Sequence, residues 1–316
     1  MRMHIGTRGY NNLMARPSWS PDGSRFVAET GTQSYVVHRD DGTREHIGPP
    51  HGYTTGAAFS PDGTQLSFSA FAVPPGQSSP EWALYVSDNR GMNPRLVSHD
   101  DGWNSTWSPD GKKVAFLNGR GEKYLLSVVN ADGTGQRQLS DDWFTNRPSW
   151  TPDSTSVVYD CGLLGRRKLY VTNAEDATTH RLRSFRGGFE TNPAVSPDGR
   201  SVVFEHHYRQ NGQADLAVMS LDGTQRPVLL THADGREMDP MWSPDGSRIA
   251  FEGEVEGETE LFVMNADGTD MSQVTQFDGL DKHAPSWSPD GRALAYLTID
   301  AARRTDCGVV ELPGKA

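Results

Sequence analysis

The sequence predicts an all-β protein, a seven-bladed β-propeller of four-stranded antiparallel blades, and three observations predict it. A Ser-Pro-Asp-Gly turn recurs along the 316 residues. Each copy lies between two apolar, strand-like runs, and a second turn ending in Asp-Gly follows within most units. A sustained period of about 40–50 residues is the mark of a propeller or solenoid.

The first turn occurs seven times: "SWSPDG" at 18–23, "AFSPDG" at 58–63, "TWSPDG" at 106–111, "SWTPDS" at 149–154, "AVSPDG" at 194–199, "MWSPDG" at 241–246 and "SWSPDG" at 286–291. Successive serines, or Thr151, are 40, 48, 43, 45, 47 and 45 residues apart. Before each turn stands a large residue, usually Trp (Trp19, Phe59, Trp107, Trp150, Val195, Trp242, Trp287). After each comes a β-branched and aromatic run, such as "RFVAE", "KVAFL" or "RIAFE". Pro presets φ for the turn and Gly accepts the positive φ that ends it, so the motif joins strand A to strand B.

The second turn reads "DDGT" at 40–43, "NADGT" at 130–134, "LDGT" at 221–224 and "NADGT" at 265–269, with weaker copies at 88–92 and 173–177. Apolar runs such as "KLYVTN" precede it and short strands such as "QRQLS" follow, which makes it the C–D hairpin turn. Its resemblance to a calcium loop fails, because Leu139 and Val274 stand where the closing acid belongs. Four strands in each of seven units fill the whole chain as a single domain, 1–316. The last unit, 281–313, runs out after strand C ("CGVVELP"). The segment "RMHIGT", residues 2–7, precedes the first turn where every other unit has its strand D. These residues are expected to complete the last blade and so remove an open edge.

Composition narrows the function. Gly 33 and Pro 20 suit short strands and tight turns. A net charge of −11 with dispersed acids argues against nucleic acid as a partner. Without a run of about 18 apolar residues no membrane partner is expected. The N-terminus lacks the apolar core of a secretory leader, so a cytoplasmic, monomeric protein is expected. Cys161 and Cys307 fall in blades 4 and 7 and should not pair.

The Trp-Ser-Pro-Asp-Gly turn, the aliphatic-aromatic strand and the Asn-Ala-Asp-Gly-Thr turn together resemble the repeats of the TolB-like (PD40-type) propellers, in all seven units. That resemblance implies the fold and, for many members, an interaction role. The group also includes the propeller halves of oligopeptidases and some polysaccharide lyases. An intact peptidase is not expected, since the sequence shows no G-x-S-x-G motif and its repeats fill it.

Strand A runs into the first turn, so both repeated turns share one face, the bottom. The D–A and B–C loops share the other, the top, and they vary in sequence. Function favours variable loops on a rigid frame. The leading expectation is a scaffold that engages a protein partner or a small polar or anionic ligand there. Several D–A loops carry aromatics (Tyr10, Tyr53, Trp103, Phe144, Phe189). Arg16, Asn104, Arg147, Asn192, Asp239 and His283 are expected at the channel mouth, with Glu190 and Glu237 slightly further out. The ligand-binding candidates are therefore Arg16, Tyr53, Trp103, Asn104, Arg147, Glu190 and Asn192, a mix of guanidinium, aromatic and amide groups suited to an anionic or sugar-like ligand.

The alternative is a lyase or hydrolase acting on an acidic sugar or similar metabolite, with His206, His207, His283, Glu237 and Asp239 as catalytic candidates. No cofactor is required by this reading. A divalent metal is compatible with it through imidazole and carboxylate ligands from blades 5–7. Adjacent His206 and His207 must point to opposite faces of their strand, so at most one joins a given site. Two B–C insertions complete the inventory, "AFAVPPGQSSPEW" at 70–82 and "CGLLGRRKLY" at 161–170, the latter with an apolar-plus-basic tip (Leu163, Leu164, Arg166, Arg167) suited to a partner or an acidic ligand.

Overall fold

A computed structural model describes residues 15–48, 53–74, 77–100, 102–120, 123–141, 147–163, 165–208, 212–232 and 235–313. They form seven antiparallel sheets in which strands pair in chain order, six of four strands and one of three. The inner strands are Ser18–Trp19, Tyr53–Phe59, Trp103–Trp107, Ser149–Trp150, Phe189–Val195, Glu237–Trp242 and Asp281–Trp287. The last inner strand touches the first, so the ring closes. The sheet of three strands is blade 7, which ends at Thr305–Glu311. The expected fourth strand, residues 2–7, lies outside the described residues, as do Tyr10 and Phe144.

The Ser-Pro-Asp-Gly turn is held by its own side chains. Ser20 Oγ donates to Asp22 Oδ1 at 2.5 Å and accepts from Arg25 N at 3.0 Å, while Asp22 Oδ1 accepts from Ser24 N at 3.0 Å. The same arrangement repeats at Ser60, Ser108, Thr151, Ser196, Ser243 and Ser288. These bonds hold Asp22, Asp62, Asp110, Asp153, Asp198 and Asp290 below the usual carboxylate range; Asp22, whose first cause is Ser20, is lowered to about 2. Six turns end in Gly at φ of 67–71°, and Ser154 takes that place in blade 4 at φ 62°. Each glycine faces the proline of the preceding turn, and Gly23 faces Pro289 across the closing seam.

Strand A also joins the blades. Trp107 Nε1 donates to Ala58 O, Trp150 to Thr106 O, Trp242 to Ala194 O, Trp287 to Met241 O and Trp19 to Ser286 O, at 3.0–3.2 Å. Blades 2 and 5 have Phe59 and Val195 instead, which cannot donate from a side chain. There the backbone amide donates to a serine of the preceding blade, Phe59 N to Ser18 Oγ and Val195 N to Ser149 Oγ, both at 3.0 Å. The hydrophobic core is correspondingly divided into seven clusters, one at each seam. Phe68, Phe116, Phe204 and Phe251, all from strand B, are fully buried in them. Each such ring contributes about 1.5–3 kcal/mol.

Two expectations are corrected. The blade 2 insertion is shorter than 70–82, because Gln65–Ala72 and Glu81–Asp88 extend as a hairpin in which Phe71 pairs with Trp82. Tyr53, Trp103 and Phe189 open strands rather than lying in loops, since their aromatic, β-branched surroundings continue the pleat. The "NADGT" turns are hairpins closed by Asp132 and Asp267 accepting from the amides of Thr134 and Thr269. Cys161 and Cys307 form no disulfide.

Candidate functional site

The channel mouth is built three residues before each Trp position. Gly56, Asn104, Asn192, Asp239 and Ala284 occupy it with φ between 49° and 67°, where strand A bulges and shifts register. Asn and Asp tolerate this left-handed conformation better than other side chains, and glycine best of all. Arg16 and Arg147 hold the same place in blades 1 and 4. His283 falls one residue short of this ring, whose blade 7 position is Ala284. That corrects its expected placement at the mouth.

Arg16, Arg147 and Asp239 converge across the channel. Arg16 Nη2 donates to Asp239 Oδ1 at 2.6 Å, and Arg147 Nη1 donates to both Asp239 oxygens at 2.7 Å. Burial acts to raise the Asp239 pKa, but the two guanidiniums outweigh it and hold the carboxyl well below its usual range. A channel of about 510 Å³ lies among the inner strands. Asn104, buried, lines it.

Behind the mouth stand carboxylates that close strand B: Glu29, Glu205 and Glu252, with Asp160 at the same place in blade 4. Each of the three glutamates accepts the bulge amide of the next blade: Gly56 N on Glu29, Asp239 N on Glu205 and Ala284 N on Glu252. Glu205 also accepts from Asn192 Nδ2 at 2.6 Å, Thr191 Oγ at 2.7 Å and His207 Nε2 at 2.8 Å. Burial alone would raise its pKa, but His207 and these donors bring it below the usual value. Glu29 and Glu252 are instead pushed up by desolvation, which Thr55 and His283 only partly offset.

The three candidate histidines sit on three different carboxylates. His207 Nε2 is on Glu205, His283 Nδ1 is 2.9 Å from Glu252 Oε2, and His206 Nδ1 is 3.6 Å from Glu190 Oε1. Burial acts to lower the His283 pKa, yet Glu252 outweighs it and the net direction is up. Glu190 and Glu237 were expected near the rim and are instead buried, because both lie within strand A. Glu190 pairs with Lys168 of blade 4 at 2.6 Å. Glu237 is raised to about 7, by burial first and then by the Asp215 carboxylate beside it. Among the described residues no three His, Cys, Asp or Glu side chains come together as metal ligands.

Of the remaining candidates, Tyr53 is half exposed and lies 6.4 Å from Phe71, and Trp103 packs 4.8 Å from Trp82. They belong to one aromatic tier across blades 2 and 3, away from the arginines at the mouth.

A cleft of about 440 Å³ opens on the top rim where blades 4, 5 and 6 meet, among Arg166, Phe189, His207, Tyr208, Gln213 and Arg236. The Phe189 and His207 rings stack in parallel, 4.5 Å apart with 1° between planes. Tyr208 OH donates to Asp215 Oδ2 at 2.6 Å, and its pKa is pushed up to about 12 by burial and by that carboxylate. Arg166 and Arg236 are exposed and have no carboxylate partner among the described residues. The sequence marked Arg166, with Arg167, as a basic loop tip suited to a partner or an acidic ligand, and missed Arg236. Its sole signal was a lone cation in the acidic loop "HADGREMD".

The family model described as the TolB beta propeller domain matches residues 2–191 and 165–311. An uncharacterized protein of Agrobacterium fabrum is 25% identical over 255 residues, 76% of this chain and 84% of that one. The Tol-Pal system protein TolB of Bordetella pertussis is 26% identical over 146 residues, 46% of this chain and only 33% of that protein. Among solved structures, an oligogalacturonate lyase in complex with manganese superimposes with a TM-score of 0.74 at 17% identity, over 96% of this chain and 89% of that one. A likeness at that identity concerns the fold.

Proposed function

The chain belongs to the TolB β-propeller family, and from that membership we propose that it is a binding scaffold whose top face engages a protein partner or a small polar ligand. The observation that carries this reading is the contrast between the two faces. On the bottom, the turn aspartates and hydroxyls are consumed by bonds within their own turns. On the top, a cleft is rimmed by two arginines with no carboxylate partner among the described residues. Exposed guanidiniums beside a stacked aromatic pair are typical of a recognition surface.

The enzyme alternative draws on His206, His207, His283, Glu237 and Asp239, of which His207 and Asp239 meet on Glu205 while the others bond elsewhere. Among the described residues these groups do not gather as metal ligands: His207 and His283 bond separate glutamates, and His206 Nδ1 lies 3.6 Å from a third.

The test is cross-linking of the intact protein in an extract of its own cells, with the linked residues mapped by mass spectrometry. Cross-links to one recurring partner should concentrate on the loops at 163–167, 207–213 and 235–239. Links confined to the Ser-Pro-Asp-Gly face, or turnover of a substrate that His207→Ala abolishes in a folded protein, would sink the proposal.

A further inference from the structure

The cleft between blades 4, 5 and 6 carries a more specific assignment, which rests on the top-face reading above. We infer that it binds a small organic anion, with the acid group held between Arg166 and Arg236 and a flat body laid against the Phe189–His207 pair.

Charge comes first. Arg166 arrives from the B–C loop of blade 4, and Arg236 from the loop entering blade 6, so the two guanidiniums converge on one cleft from different blades. At the channel mouth and the closing seam guanidiniums are spent on carboxylates, Arg16 and Arg147 on Asp239, Arg39 on Glu311 and Arg44 on Asp306, whereas neither cleft arginine has such a partner among the described residues. No neighbouring acid among the described residues is paired with either arginine, and three of them have donors of their own. Asp215 accepts from Tyr208, Glu205 from four donors, and Glu237 from Thr231 Oγ at 3.2 Å. Two forked donors without an internal acceptor suit a carboxylate or phosphate, each of which offers several lone pairs at once.

Shape comes second. The volume of about 440 Å³ fits a small molecule and is far too small for a folded partner. Part of its wall is held by a hydrogen bond. Glu205 fixes His207 through Nε2, so the imidazole plane is set before any ligand arrives, and Phe189 stacks on it in parallel. Because Nε2 is used in that bond, the ring's other nitrogen, Nδ1, has no partner among the described residues. The Tyr208 hydroxyl is committed to Asp215, which leaves its ring as a further apolar surface. A neutral polyol would leave both guanidiniums unmatched, and an aliphatic anion would leave the stacked wall uncovered.

The probes are phenyl phosphate and benzoate, which share a flat ring and differ in the acid, with inorganic phosphate and phenol as the separated halves. Each is titrated calorimetrically into the full chain at constant ionic strength. One aromatic anion or both should bind saturably at one site, inorganic phosphate more weakly, and phenol not at all. Which of the two binds tells phosphate from carboxylate. In R166Q/R236Q affinity should fall by about tenfold or more, as expected for lost charge-assisted hydrogen bonds. Both side chains are exposed, so the variant should melt as the wild type does. Phe189→Leu should erase the advantage of phenyl phosphate over inorganic phosphate while leaving the latter's binding intact.

No saturable binding by either aromatic anion, or equal binding in the folded double variant, overturns the assignment. If the probes fail while cross-links still map to the top loops, the anion assignment alone falls. If the probes bind in the cleft but cross-links map to the turn face, the top-face partner reading falls alone.

Discussion

Glu237 shows how a single buried acid couples the fold to pH. Burial and Asp215 raise it from 4.5 to about 7, so the folded protein keeps a proton that the unfolded chain releases. Its contribution is fully present below about pH 4.5 and is lost as pH rises through 7. Glu237→Gln should therefore match the wild type near pH 4 and exceed it at pH 8, by roughly 1–3 kcal/mol, in denaturant unfolding. An equal difference at both pH values would show that Glu237 is not strained. The sequence placed this residue correctly beside the mouth but on the wrong side of the surface, since counting from a turn does not reveal which way a pleat faces. Arg16, Arg147 and Asp239 were legible together because all three stand at the same distance from a repeated Trp. Glu205 was legible only as an acid at a strand end. Its four donors come from Thr191, Asn192, His207 and Asp239, which no local pattern links. His283 was misplaced by one residue, because the left-handed bulge in strand A inserts a position that regular alternation does not count.

The elements that carry the ring are the inner strands and their tryptophans. Trp107→Phe keeps most of the apolar area and deletes one bond, from Nε1 to Ala58 O, leaving that carbonyl without its indole donor. The cost should be about 1 kcal/mol, with a larger value if the carbonyl cannot find water. Thermal and urea unfolding would measure it; an unchanged midpoint would remove the indole bond from the account of the seams. The repeated turns were legible to the residue, because Ser, Pro, Asp and Gly each meet a separate backbone requirement there. Blade 4 keeps the turn with Ser154 in place of glycine, and Ser154 Oγ accepts Asp110 N at 3.0 Å from the preceding turn. The two-arginine cleft was not legible, for a converse reason. It depends on how loops from different blades lean toward each other, and repeat periodicity carries no information about that.

At the scale of the molecule, blades 7 and 1 meet through Trp19 on Ser286 O, Gly31 N on Thr305 Oγ, and the pairs Arg39–Glu311 and Arg44–Asp306 at 2.6 Å. Surface pairs of this kind contribute little singly. The expectation that residues 2–7 add a fourth strand to blade 7 has a direct test in their deletion. Loss of an edge-covering strand should lower the melting temperature by about 5 °C or more and promote association through the bared edge. A deletion variant that melts with the full chain and stays monodisperse would remove that strand from the fold. The seam between blades 7 and 1 also reuses the indole bond and the Gly-against-Pro contact found within the chain. These joints therefore do not identify which blade is first, and sequential order is carried by the covalent backbone. A chain reopened at another top loop, with its old ends joined, would meet the same set of joints in a rotated order.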